Sequence, residues 1–118
     1  MGEQYKGIKK YLTEQQMLVF ICLIKACRLK SRNVVAPSLI YNVYISLCNE
    51  YGIDPTFKSG LSAVLIRFET AGLIRINKSS ITLLNFNNSS LSELEIDIYQ
   101  DPTFSKYKKY MSSDSISN

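Results

Sequence analysis

The stretch YGIDPTFKSGLSAVLIRFETAGLIRI, Tyr51–Ile76, decides how the chain folds. Gly52 and Gly72 each stand where an apolar helical pattern stops, the place at which a residue free of Cβ adopts positive φ most cheaply. Between them, Pro55 biases Asp54 toward extended backbone. That predicts Asp54 as an N-cap with Pro55 at the first helical position. Thr56 with Ser59 is a weaker alternative cap one turn in. From Phe57 the apolar residues recur at helical spacing. At about 100° per residue, Phe57, Leu61, Val64, Leu65, Phe68 and Ala71 share one arc, the core face. Lys58, Ser59, Ser62, Ala63, Ile66, Glu69 and Thr70 make up the outward arc. The tetrapeptide DPTF returns at Asp101–Phe104 with different flanks, so it marks two helix corners and not an internal repeat.

Upstream, Thr13 and Gln16 form a capping box that opens a helix running to about Lys30. From Met17 to Ile24 this helix is apolar on every side, which predicts a central element covered all round. Val34-Val35 is a short β-prone pair, and Pro37 opens a second helix to Tyr51 with Ile40, Val43, Tyr44, Leu47 and Tyr51 on one face. Downstream, LIRINKSSITLL reads as a β-hairpin: Leu73–Ile76, a polar turn Asn77–Ser80, and Ile81–Leu84. Asn85–Ser89 reads as a polar linker. Ser90 with Glu93 is a second capping box opening a short helix with Leu91, Leu94 and Ile98. Asp101 is expected to end that helix and cap a last one bearing Phe104, Tyr107 and Met111. The expected division is 1–88 as the main domain, 89–111 as C-terminal helices packed on it, and 112–118 as a disordered tail.

Composition removes whole classes of chemistry. The 118 residues include no histidine, so a Ser-His-Asp triad, a Cys-His pair and His-containing zinc sets are excluded. Three cysteines, Cys22, Cys27 and Cys48, fall short of a four-thiolate site and are expected to be buried and reduced, which points to an intracellular protein. No P-loop motif GxxxxGK[ST] is present. Glu93, Glu95, Asp97 and Asp101 read as a solvated acidic face and not a cation site. No metal, cofactor or small-molecule substrate is expected. Neither a membrane span nor a secretory signal is legible. Net charge is +4, unevenly placed: residues 1–90 carry eleven Lys/Arg against five Asp/Glu, while 91–101 carry four acids and no cation. A basic body with an acidic appendage fits a nucleic-acid partner.

Helix, short strand, helix, Gly-containing turn, helix and hairpin is the winged-helix order: an α+β, mainly helical fold with a helix-turn-helix and a two-stranded β wing, here with a C-terminal helical extension. The residues go further. LTEQQMLVFICLIKA and VVAPSLIYNVYISLCNEYGIDPTFKSGLSAVLIRFETAGLIRI resemble the C-terminal winged-helix domain of the origin recognition complex and replication-initiator AAA+ ATPases. The likeness lies in Leu12, Gln16 and Val19 at the start, in Ile40-Tyr41-x-x-Tyr44-x-x-Leu47-Cys48, in the Gly52-Ile53-Asp54-Pro55 corner and in Phe68–Ile74. LSELEIDIYQDPTFSKY is similar to the helix-plus-EDP segment that often follows the wing, so the resemblance covers about residues 11–108.

That resemblance implies a DNA-binding domain of DNA replication initiation, docking on duplex DNA at origins with the recognition helix toward the major groove and the wing toward the minor groove. It also implies contacts with other initiator subunits or the replicative helicase, and a nuclear location if the source is eukaryotic, cytoplasmic otherwise. The family's ATPase module is absent, so no enzyme activity is expected. The candidate DNA-binding residues are Lys58, Ser59, Ser62, Ala63, Arg67, Arg75, Asn77, Lys78 and Ser79. Lys25, Arg28, Lys30, Arg32 and Ile66 are candidate phosphate or partner contacts. Ser59 and Ser62 can bond bases or phosphates, and Ala63 or Ile66 can touch a thymine methyl. Ile66 beside Ala63 also fits an apolar protein partner. Three readings stay open: DNA docking mainly through phosphates, a protein–protein module using the same helix and wing, and a stand-alone transcriptional regulator.

Overall fold

The computed structural model describes residues 7–8, 12–55, 58–84 and 88–111. Its elements are α1 (Glu14–Lys30), β1 (Val34–Val35), α2 (Pro37–Tyr51), α3 (Lys58–Thr70), β2 (Ile74–Ile76), β3 (Ile81–Leu83), α4 (Asn88–Gln100), a 3-10 turn (Ser105–Tyr107) and a short α5 (Lys108–Met111). The fold is the expected mainly helical α+β winged helix.

Helix α1 opens with the capping box. Thr13 Oγ1 accepts from the Gln16 amide at 3.2 Å, and Gln16 Oε1 accepts from the Thr13 amide at 3.0 Å. Every residue from Met17 to Cys27 is buried, so the all-round apolar helix is the central element of the core. It ends in a Schellman arrangement: the Arg32 amide donates to the Cys27 carbonyl and the Ser31 amide to that of Arg28. Ser31 sits there at φ 53, a left-handed position that glycine holds at the ends of the next two helices. The sequence carries no signal for it.

Val34-Val35 pairs with β3, and β2 pairs with β3 on the other side, giving an antiparallel sheet in the order β1-β3-β2. The expected two-stranded hairpin is therefore widened to three strands. Asn33 fastens the added edge, accepting from the Leu83 amide at 2.8 Å and donating its Nδ2 to the Leu83 carbonyl at 3.1 Å. Pro37 begins α2 and Gly52 closes it at φ 65, as the sequence predicts.

The corner into α3 differs from expectation. Asp54 and Pro55 are coil, so they are not N-cap and N1; α3 is described from Lys58. The Ile53 amide remains bound to the Cys48 carbonyl, and Asp54 and Pro55 follow it as coil. Thr56 and Phe57, expected as a cap and a core residue, lie outside the described residues. Leu61, Leu65 and Phe68 are buried and Val64 is partly so, but Ala71 is exposed. It falls in the turn that Gly72 closes at φ 80, with the Leu73 amide on the Phe68 carbonyl. Phe68 is fully buried and meets Phe20 of α1 edge to face, centroids 5.6 Å apart. Such a side chain contributes about 1.5–3 kcal/mol by burial, and the ring pair about 0.5–1.5 kcal/mol more.

Helix α4 is described from Asn88, so Ser90 lies inside the helix and not ahead of it, and residues 88 and 89, expected as linker, are helical. Leu91, Leu94 and Ile98 join the core. Asp101 does turn the corner: its Oδ1 accepts from the Thr103 amide at 2.9 Å, and its carbonyl accepts from Phe104 and Ser105. Past that corner the chain forms a 3-10 turn and one turn of α-helix, not a continuous helix. Phe104 and Tyr107 are buried. The Tyr51 hydroxyl donates to the Lys106 carbonyl at 3.0 Å, and its ring meets Tyr107 at 4.8 Å, tying this segment to the end of α2. The Met111 side chain and residues 112–118 lie outside the described residues.

All three cysteines are buried and unbridged. Burial pushes the Cys22 thiol far above its ordinary range and that of Cys27 to about 11. Desolvation also raises Cys48, against a lowering hydrogen bond involving Tyr44. A thiol reagent at pH 8 should therefore label no cysteine in the native protein and three after denaturation. Fast labelling of Cys27 in the native state would contradict this burial.

Candidate nucleic-acid interface

With Leu61, Leu65 and Phe68 turned inward, the opposite side of α3 is set by helical geometry. Ser59, Ser62, Ala63, Ile66 and Thr70 are all exposed along it, and Ile66 is 57% exposed. Arg67 is exposed to one side of this stripe. The Thr70 hydroxyl donates to the Ile66 carbonyl at 3.0 Å, so it is turned back onto the helix. The helix is described from Lys58, whose side chain lies outside the described residues.

The hairpin comes directly after. Arg75, Asn77, Lys78 and Ser79 are exposed, and the Asn77 amide donates to the Ser80 carbonyl at 2.9 Å across its tip. Among the described residues only Ser31 and two glycines have positive φ, so the tip turns without a left-handed residue. The turn is polar and basic but short.

Glu69 joins helix to hairpin in a way the sequence does not reveal. In an antiparallel pair, successive amides alternate between the partner strand and the outside. Leu84 bonds Leu73 and Asn77 bonds Ser80, which leaves the Ile76 amide on the outer edge of β2. Glu69 Oε2 accepts from that amide at 2.9 Å. The one acid of α3 therefore fixes the hairpin against the helix and covers part of a sheet edge open to unwanted pairing.

One of the outlying cations is buried and another is ion-paired. Lys25 is 3% exposed, because α1 stays enveloped through Cys27; it is unavailable to a phosphate. Arg28 is engaged with α4: its Nε donates to Glu95 Oε1 at 2.8 Å and an Nη to Ser92 Oγ at 2.8 Å. Lys30 and Arg32 are exposed at the end of α1, next to β1. Lys6, Lys9 and Lys10 lie outside the described residues.

The acidic segment is less uniformly solvated than its composition implies. Glu93 is exposed, Glu95 is paired with Arg28, and Asp101 caps a turn. Asp97 is half-buried, with Oδ2 lacking a hydrogen-bond partner. Among the described residues no three His, Cys, Asp or Glu side chains gather to hold a metal ion. A groove of about 390 Å³ borders Arg28, Ser92, Glu95, Ile96 and Tyr99. Burial, aided by the Glu95 carboxylate, pushes the Tyr99 hydroxyl well above its usual range. Ile96, at its edge, is 58% exposed.

Residues 8–95 match the family described as CDC6, C terminal winged helix domain. The chain belongs to that family. The CDC6 match begins before α1, takes in α2, α3 and the hairpin, and ends within α4, so the stripe and the wing both lie inside it. No curated protein and no solved structure matches the chain. As a CDC6-type winged helix, the chain is a replication-initiator module of the DNA-binding or interaction kind. Among the described residues, no helix is long and apolar enough to cross a membrane.

If Glu69 sets the hairpin, Glu69→Ala should speed hydrogen exchange at the Ile76 amide and cost about 0.5–1.5 kcal/mol, the net worth of one hydrogen bond. Glu69→Gln, which keeps an acceptor, should restore much of the protection. An Ile76 exchange rate that is the same in all three proteins would contradict the tether.

Proposed function

We propose that this chain docks a replication initiator on duplex DNA, mainly through phosphates, with α3 toward the major groove and the hairpin toward the minor groove. One observation carries the reading: the exposed side of α3 runs straight into a basic hairpin held to it by Glu69. Arg67, Arg75 and Lys78 flank the stripe, with Lys30 and Arg32 further along. Phosphate contacts of this kind fix position and carry no sequence information by themselves. In this reading the DNA is origin duplex, the location is the nucleus in a eukaryote and the cytoplasm otherwise, and the chain binds without catalysing. Other initiator subunits or the replicative helicase are its protein partners.

Exposed Ile66 supports a second reading, in which the same helix and wing dock on one of those protein partners. An aliphatic side chain more than half exposed, in the middle of a binding face, suits an apolar counterpart as well as a base.

Phosphate docking has a measurable signature. Three to five neutralised phosphates give a slope of about −3 to −4.5 for log affinity against log salt on random-sequence duplex. Lys78→Ala should lower the steepness by about 1. A flat salt response, or no binding at low salt, defeats the proposal.

A further inference from the structure

The proposed reading leaves α3 without an evident means of telling one base pair from another. Its exposed stripe offers no Asn or Gln, and its lone guanidinium, Arg67, lies to the side. Among the described side chains of the stripe, none in line with the groove can make the bidentate contacts that distinguish guanine or adenine. What the stripe does offer is hydrocarbon. Ala63 presents a methyl, Ile66 an aliphatic side chain 57% exposed, and Thr70, its hydroxyl bonded to the Ile66 carbonyl, presents its own methyl. Ala63, Ile66 and Thr70 are spaced three and four apart, so these groups follow one line along the helix. Exposed serines at 59 and 62 precede them, and a hydroxyl accepts or donates to any base edge.

One feature of the major groove is apolar: the C5-methyl of thymine. We infer that α3 selects thymine-bearing duplex by packing Ile66 and Ala63 on thymine methyls. This rests on the reading of α3 as the groove-facing helix and adds a substrate class to it. Arg75 and Lys78 supply the complementary charge for the flanking phosphates, so the hydrocarbon is delivered to the groove floor by contacts indifferent to sequence. Preference then depends on methyl count and position, not on a hydrogen-bond code.

Deoxyuridine lacks that methyl and otherwise pairs as thymidine does. Affinity should therefore be compared by fluorescence anisotropy on one A·T-rich duplex and its copy with every thymine replaced by uracil. Loss of about fourfold is expected for each methyl covered, the worth of burying one methyl-sized group, with the salt slope unchanged. In a G·C-rich duplex, 5-methylcytosine puts the same group in the same groove and should strengthen binding by a similar factor. Ile66→Ala, an exposed change to a better helix former, should leave circular dichroism and the salt slope intact and erase most of both differences.

Equal binding of the thymine and uracil duplexes overturns the inference while leaving phosphate docking in place, and returns Ile66 to an apolar protein partner. Retention of the full difference by Ile66→Ala also overturns it. Absence of binding to any of the duplexes overturns both this inference and the reading beneath it.

Discussion

Phe20 and Phe68 meet edge to face at the junction of α1 and α3, and which side of α3 is turned outward depends on that contact. A helix has one rotational setting once its largest buried side chain is fixed. With Phe68 held against a central helix that is buried from Met17 to Cys27, Leu61 and Leu65 must also turn inward. Ser59, Ser62, Ala63 and Ile66 are then forced outward without any interaction of their own holding them there. The face is a consequence of the core behind it.

The hairpin inherits the same constraint through two short links. Gly72 reverses the chain in the left-handed region, and the Leu73 amide remains bonded to the Phe68 carbonyl. Glu69, next to Phe68, then accepts from the Ile76 amide. Consecutive residues thus point one into the core and one along the wing, and the rotation of α3 sets the direction of both. This also explains an acid on a face read as DNA-binding: its carboxylate is directed to a backbone amide and complements a sheet edge.

Much of this architecture was legible because it is written locally. The Thr13 and Gln16 capping box, the Val34-Val35 pair, Pro37 and the two closing glycines each act within a few residues, and the inward stripe of α3 comes from spacing alone. The illegible parts depend on distance. Arg28 and Glu95 lie 67 positions apart, so nothing near Arg28 announces that its guanidinium is engaged by α4. Lys25 comes after an apolar run and reads as the return of the surface, yet the core extends one turn further. Ser31 at positive φ and the coil at Asp54 and Pro55 are failures of another sort. There the connection between packed helices sets the backbone, overriding the residue that would ordinarily mark it. Of the candidate site, Ser59, Ser62, Ala63, Ile66, Arg67, Arg75, Asn77, Lys78 and Ser79 are exposed on α3 and the hairpin, while Glu69's structural part appears only once the strands are paired.

The central claim is that one continuous face, α3 with its wing, meets the DNA while the α4 side does not. Amide chemical-shift mapping of the protein titrated with duplex tests it most directly. The account predicts the largest shifts at residues 59–70 and 75–79, with residues 91–100 of α4 nearly unmoved. Shifts concentrated on α4 and the groove beside Ile96, with α3 and the wing silent, would contradict it.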